Sequence, residues 1–198
     1  MDHIWNEIKT IAEENGGFVR TSAVEAAGIS RPMLRKYTDA GMLEQVRKGI
    51  YVLADDIADE FALIQLQSTK AIFSYGTALY LWGLSDRTPH IFDVTVPQGT
   101  NVSRLKRDTA NLRFHYVKPE NYMLGITEVR SPQGAMVRLY DKERCICDLI
   151  RDKDKVDIQI YTQAIKEYFD SKTDSRKLLK YSKALGVEEK VRTYMEVL

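Results

Sequence analysis

At 198 residues the chain is long enough for one large domain or two small ones. Its 44% hydrophobic and 29% charged content is ordinary for a globular protein and excludes intrinsic disorder. No apolar run approaches the roughly 18 residues that span a bilayer, and a net charge of +1 excludes a bulk electrostatic pull toward nucleic acid.

The start, Met1-Asp2-His3-Ile4-Trp5-Asn6-Glu7, lacks the basic cluster and continuous apolar stretch of a secretory leader, so a cytoplasmic protein with no membrane partner is expected. Ile4, Trp5, Ile8, Ile11 and Ala12 recur at helical spacing and predict an amphipathic helix ending at Asn15-Gly16-Gly17. That helix is acidic, with Asp2, Glu7, Glu13 and Glu14 against Lys9. Phe18-Val19 reads as a short extended stretch. Thr21 or Ser22 is placed to cap a second helix, and Ser22 with Glu25 has the spacing of a reciprocal capping box. Gly28 ends that helix, Ile29 fills the corner, and Ser30 is placed to cap a third, with Pro32 in its first turn.

The third helix has two faces. Leu34 and Tyr37 form an inward stripe, while Arg31, Arg35 and Thr38 form an outward one with Lys36 on its flank. After Gly41, two β-prone runs, Leu43–Val46 and Ile50–Leu53, surround Arg47-Lys48-Gly49, where the glycine supplies a tight turn. A basic hairpin directly after two helices joined by a short glycine-containing turn is the pattern of a winged helix-turn-helix. Such a unit presents cations and hydroxyls of its third helix to major-groove edges and phosphates, and its wing to the adjacent backbone or minor groove. Ser30, Arg31, Arg35, Lys36, Thr38, Arg47 and Lys48 are therefore the candidate contacts to double-stranded DNA. Each cation alone reads as solvated surface charge. Their joint place on one helix and one hairpin favours DNA, with pure protein contact as the alternative use of such a unit.

Asp55 to Glu60 is an acidic hinge leading into a helix with Ile57, Phe61 and Ile64 as its expected stripe. Ser74 is placed to cap a further helix containing Ala78, Leu79 and Trp82 and closing at Gly83. Beyond Pro89 the pattern turns to β. Ile91–Val96 is one strand, and Leu112–Val117 another with Leu112, Phe114 and Tyr116 facing one way. Two more runs, Gly125–Arg130 and Ala135–Tyr140, flank a hairpin loop at Ser131-Pro132-Gln133-Gly134. From Asp141 the chain reads as four helices, over Asp141–Arg151, Asp157–Phe169, Asp174–Leu185 and Val187–Val197. The expected fold class is α+β: a winged helix-turn-helix over residues 1–54, then a larger α+β domain over 55–198 with a mixed or antiparallel sheet and a helical C-terminal portion.

Chemistry is sparse. Cys145 and Cys147 fall two apart on one helix, a poor geometry for a disulfide. With no second pair and no nearby histidine they are a poor zinc set, so free, buried or half-buried thiols are expected. His3, His90 and His115 have no partner at metal-ligand spacing, and no Gly-x-Ser-x-Gly, phosphate loop or dinucleotide fingerprint is present. Asp152 to Asp157 opens like a calcium loop but has Val156 and no glycine, which leaves a charged turn. Asp93 and Glu128, on separate strands, loosely suggest the paired acids of a DNA-targeted metal-dependent nuclease, but Arg130 stands where such sites use lysine. The Gly-Ser and Asp-x-Asp of a nucleotidyltransferase are lacking. A non-enzymatic protein without metal or cofactor is expected.

Several runs resemble the AbiEi antitoxins, the regulatory halves of abortive-infection toxin–antitoxin pairs. They are Ser30–Tyr37, Gly41–Tyr51, Ser74–Asp86, Pro89–Pro97, Leu112–His115 and Val137–Arg151, with Cys145 where the family is expected to have threonine. The resemblance implies a repressor that binds inverted repeats in the promoter of its own operon. It also implies antagonism of a nucleotidyltransferase toxin by the C-terminal domain, of type IV, without a stable complex, in phage resistance. Arg104, Lys106 and Arg107 are candidates for that second role, with plain surface charge as the alternative.

Overall fold

The computed structural model describes residues 3–197; Asp2, counted above with the acids of the first helix, lies outside them. The chain forms two compact units, one running to Leu63 and including Gln133–Ala135, the other comprising Ile64–Pro132 and the chain from Met136 on.

In the first unit, helix α1 (His3–Glu14) turns Trp5, Ile8, Ile11 and Ala12 inward, as the periodicity predicts. Strand β1 (Phe18–Arg20), helix α2 (Thr21–Ala26), helix α3 (Arg31–Asp39) and the hairpin β2 (Leu43–Arg47) and β3 (Ile50–Leu53) follow. The strands form an antiparallel sheet in the order β1-β3-β2. Trp5, Ile8, Val19, Val24, Leu34, Tyr37 and Leu43 share one core, in which the Trp5 and Tyr37 rings lie 5.1 Å apart. This is the winged-helix arrangement expected. The capping expectations are corrected. α2 begins at Thr21 with Arg20 in the cap position and no side-chain cap bond, and Ser30 caps α3 through backbone geometry only. Glu25, expected to reach back toward Ser22, is bonded to Arg31 instead, because a guanidinium offers the carboxylate a charged donor.

Helix α4 (Glu60–Gln67) is started by Asp59, whose Oδ1 accepts from the Ala62 amide at 3.1 Å. Ile57 lies before the helix and is exposed, so it is no part of the apolar stripe; Phe61 to Ile64 are buried.

The second unit is built on a mixed five-stranded sheet of β4 (Ile72–Phe73), β5 (Phe92–Pro97), β6 (Leu112–Val117), β7 (Ile126–Arg130) and β8 (Met136–Tyr140). Its order is β6-β5-β4-β8-β7, parallel in β4–β8 and β5–β6 and antiparallel in the other two pairs. The middle strand, β4, has two residues, too few to show a period of two. Tyr116, expected on a shared inward face with Leu112 and Phe114, is 45% exposed, because β6 is an edge strand.

Helices α5 (Tyr75–Leu81), α6 (Ser103–Asp108) and α7 (Pro119–Tyr122) lie between strands; α8 (Lys142–Arg151), α9 (Ile158–Asp170), α10 (Ser175–Ala184) and α11 (Glu188–Val197) follow them. Asp141, Asp157 and Asp174 cap α8, α9 and α10 by accepting from backbone amides. The Ser74 hydroxyl, expected to cap α5, instead accepts from Thr95 Oγ1 at 2.8 Å. Cys145 and Cys147 are free and buried, and burial pushes the Cys147 thiol up to about 12.

Candidate nucleic-acid interface

The α3 amphipathicity sets out the site. With Leu34 and Tyr37 locked in the core, the opposite face must carry Arg31, Arg35 and Lys36 into solvent, and all three are exposed. Arg31 reaches back to Glu25 of α2, with its side chain 73% exposed, and Arg35 lies 3.7 Å from Asp39 and is 85% exposed. The hydrogen bond between Glu25 and Arg31 lowers the carboxyl pKa and raises that of the guanidinium. Ion pairs at such exposure are worth about 0–1 kcal/mol and exchange readily for other partners. Ser30 is also exposed. Thr38 is half-buried and its hydroxyl donates to the Leu34 carbonyl at 2.9 Å, so its proton is committed within the helix.

On the wing, Gly49 takes φ +74° and lets β2 turn tightly into β3. Lys48 is exposed at the tip. Arg47 is half-buried and folds back: its Nη1 donates to the Val46 carbonyl at 2.8 Å while Nε is buried with no partner. A register shift between Gln45 and Arg47 accompanies this, as expected where a bulge re-aims a side chain. Arg20, which the sequence reading passed over, is exposed at the end of β1 and pairs in register with Ile50 of the wing. The signal available was its place immediately before α2.

In the second unit, Arg104, Lys106 and Arg107 are brought together on α6 and exposed. Arg104 and Arg107 both reach Asp108, at 3.6 and 3.2 Å, and Lys106 Nζ lies 5.4 Å from the centre of the Phe114 ring. Asp93 and Glu128 are not brought together. β4 and β8 stand between their strands, which separates them by about 14 Å at ordinary strand spacing, too far to share one cation. Asp93 Oδ1 instead accepts from His115 Nε2 at 2.8 Å. Asp152 lies against Tyr75, Arg151 and Lys155. Burial raises its pKa, but the hydrogen bonds from Lys155 and Tyr75 and the Arg151 charge outweigh that and hold it at about 2. Among the described residues no helix is long and apolar enough to cross a membrane.

None of the curated proteins matches the chain. Among solved structures it is similar to the one titled "Crystal structure of RV2827C protein from Mycobacterium tuberculosis", with a TM-score of 0.59 and 13% identity over 88% of this chain and 69% of that one. At that identity the likeness is one of fold. Residues 6–54, the stretch that holds α2, α3 and the wing, match the AbiEi antitoxin family of transcriptional regulators.

Proposed function

We propose that the protein is an antitoxin and transcriptional autorepressor, whose winged helix binds inverted repeats in the promoter of its own operon. In this reading residues 1–54 are the DNA-binding domain and residues 55–198 antagonise a nucleotidyltransferase toxin, without a stable complex, as a type IV cytoplasmic system active in phage resistance. The carrying observation is the outward face of α3 and the wing tip, where Arg31, Arg35, Lys36 and Lys48 are all exposed. The family match over the same segment supports it. Guanidinium forks suit the paired acceptors of guanine in the major groove, and Lys48 suits a phosphate as a point charge. Lys36 is assigned to the backbone, as is Arg47 on release from the Val46 carbonyl; Ser30 and Thr38 are assigned to hydroxyl contacts, Thr38 as an acceptor. Arg104, Lys106 and Arg107 of α6 are the candidates for toxin antagonism, with plain surface charge as the alternative.

The test is a mobility-shift titration on the promoter repeat. If roughly four or five phosphates are neutralised per protomer, the log–log salt slope is about −4. Arg31→Ala and Arg35→Ala are each expected to cost about 1–3 kcal/mol. A double variant that binds as the parent protein does removes the assignment.

A further inference from the structure

Strand β6 ends the five-stranded sheet and uses only one of its edges. It pairs in parallel with β5 without interruption from Phe92↔Leu112 to Pro97↔Val117. The carbonyls of Asn111 and Val117 accept from the amides of Phe92 and Gln98, each at 2.8 Å. In a parallel ladder the N–H and C=O of one residue turn toward the same neighbour. Arg113 and His115 therefore point their backbone groups at β5, and Leu112, Phe114 and Tyr116 point theirs away from the sheet. Among the described residues no strand pairs with that outer row.

A cleft of about 900 Å³ touches five successive residues of β6, Arg113 to Val117, and is lined also by Val156, Ile160 and Leu185. Tyr75, Gly76 and Asp93 line it too, so the cleft lies over the sheet face that carries Arg113 and His115 and extends outward along β6. The Tyr75 ring is stacked 4.0 Å from His115. Tyr75 has φ +43°, alone among the described non-glycine residues in being positive, and is held there by Asp152 at 2.6 Å and Arg151 at 2.9 Å. Backbone strain of this kind persists where surrounding contacts over-determine it.

The acids of the cleft are already engaged: Asp93 by His115 and Arg113, Asp152 by Tyr75, Arg151 and Lys155, and Asp157 by Arg87 and the Gln159 and Ile160 amides. Along β6 itself the outward-facing charge is positive. Arg113 is 58% exposed, Lys118 is exposed, and Lys106 flanks the other face of β6 over Phe114.

We propose that the outer edge of β6 is a docking strand for an extended acidic segment of another protein, which joins the sheet as an additional strand. Main-chain bonds to Leu112, Phe114 and Tyr116 supply affinity; carboxylates on the face that carries Arg113, and one past the end of β6 near Lys118, supply choice. A second copy of β6 fits poorly, since it sets cations against cations. The acidic stretch of this chain fits poorly too: its unbroken exposed run, Ala54 to Ile57, is too short to pair along β6. The proposal rests on the second unit and is independent of DNA binding.

It is tested by titrating the ¹⁵N-labelled full chain with an end-blocked peptide of alternating valine and glutamate, and with its lysine counterpart. The amides of Leu112, Phe114 and Tyr116 are expected to shift and to gain at least about tenfold in hydrogen-exchange protection with the glutamate peptide only. Tyr116→Pro removes an outward N–H at a tolerant edge position and is expected to weaken binding at least about tenfold. Should that variant fail to fold, the double variant Arg113→Glu, Lys118→Glu carries the test, with its preference expected to pass to the lysine peptide. Unshifted amides at those three residues with millimolar glutamate peptide overturn the proposal. So does unchanged binding by a folded Tyr116→Pro variant, or an unchanged preference in the double variant.

Discussion

Arg144 is a fully buried cation. Its Nε donates to Asp148 Oδ2 at 2.9 Å and its Nη1 to the carbonyls of Asn121 and Leu124 at 2.6 and 3.0 Å. Burial raises the Asp148 pKa, and the charges of Arg144 and Arg151 oppose that. Gly125 is the backbone that makes room for this packing. It has φ +83°, and a Cβ there would stand 2.8 Å from Arg144 Cβ and 3.1 Å from Asp141 Oδ1, whereas at Gly134, with φ +95°, a Cβ would meet open space. Gly134→Ala should therefore cost only the left-handed backbone strain, about 1–2 kcal/mol. Gly125→Ala should cost about 1–3 kcal/mol more, from overpacking. Urea denaturation of both variants measures the difference, and equal costs would mean the neighbourhood yields freely. A glycine's role in a turn is legible in sequence. The arginine nineteen positions on that crowds it is not, since nothing local marks the contact.

Among elements, α3 was legible because Leu34 and Tyr37 are three apart and the cations alternate with them, so one helical period sorts both sets. The pair between α2 and α3 was not. Ser22 and Glu25 have the spacing of a cap, yet Glu25 goes to Arg31, six residues away. That pair predicts a gain of function. Glu25→Ala frees Arg31 and removes a negative charge beside the proposed phosphate path, so promoter binding should tighten about three- to tenfold, with stability changed by less than about 1 kcal/mol. Weaker binding in the mobility shift would mean instead that Glu25 holds Arg31 in its working orientation. Arg47 teaches the same lesson. The basic wing is evident from Arg47-Lys48-Gly49, but the register shift that folds Arg47 back toward Val46 belongs to the pairing of two strands.

At the scale of the molecule, Cys145 and Cys147 lie in the middle of α8, 1% and 0% exposed, with burial raising both thiols. Both are expected to resist a water-soluble thiol reagent at pH 8 and to react together, at a rate that rises with urea in step with unfolding of the second unit. Fast reaction of either in the native protein would contradict the packing. Local pattern determined much of this protein: the winged-helix order of elements, the four closing helices, three of them opened by an aspartate, the β7–β8 hairpin and the exposed cations of α3 and Lys48. Periodicity and turn chemistry act within a few residues and survive whatever the rest of the chain does. Tertiary structure alone decided that a two-residue strand sits at the centre of the sheet and β6 at its rim. It also set Asp93 and Glu128 on strands kept apart by two others, and brought Tyr75, His115 and Asp152 together. Each of these depends on which distant segments meet, and sequence spacing carries no record of that.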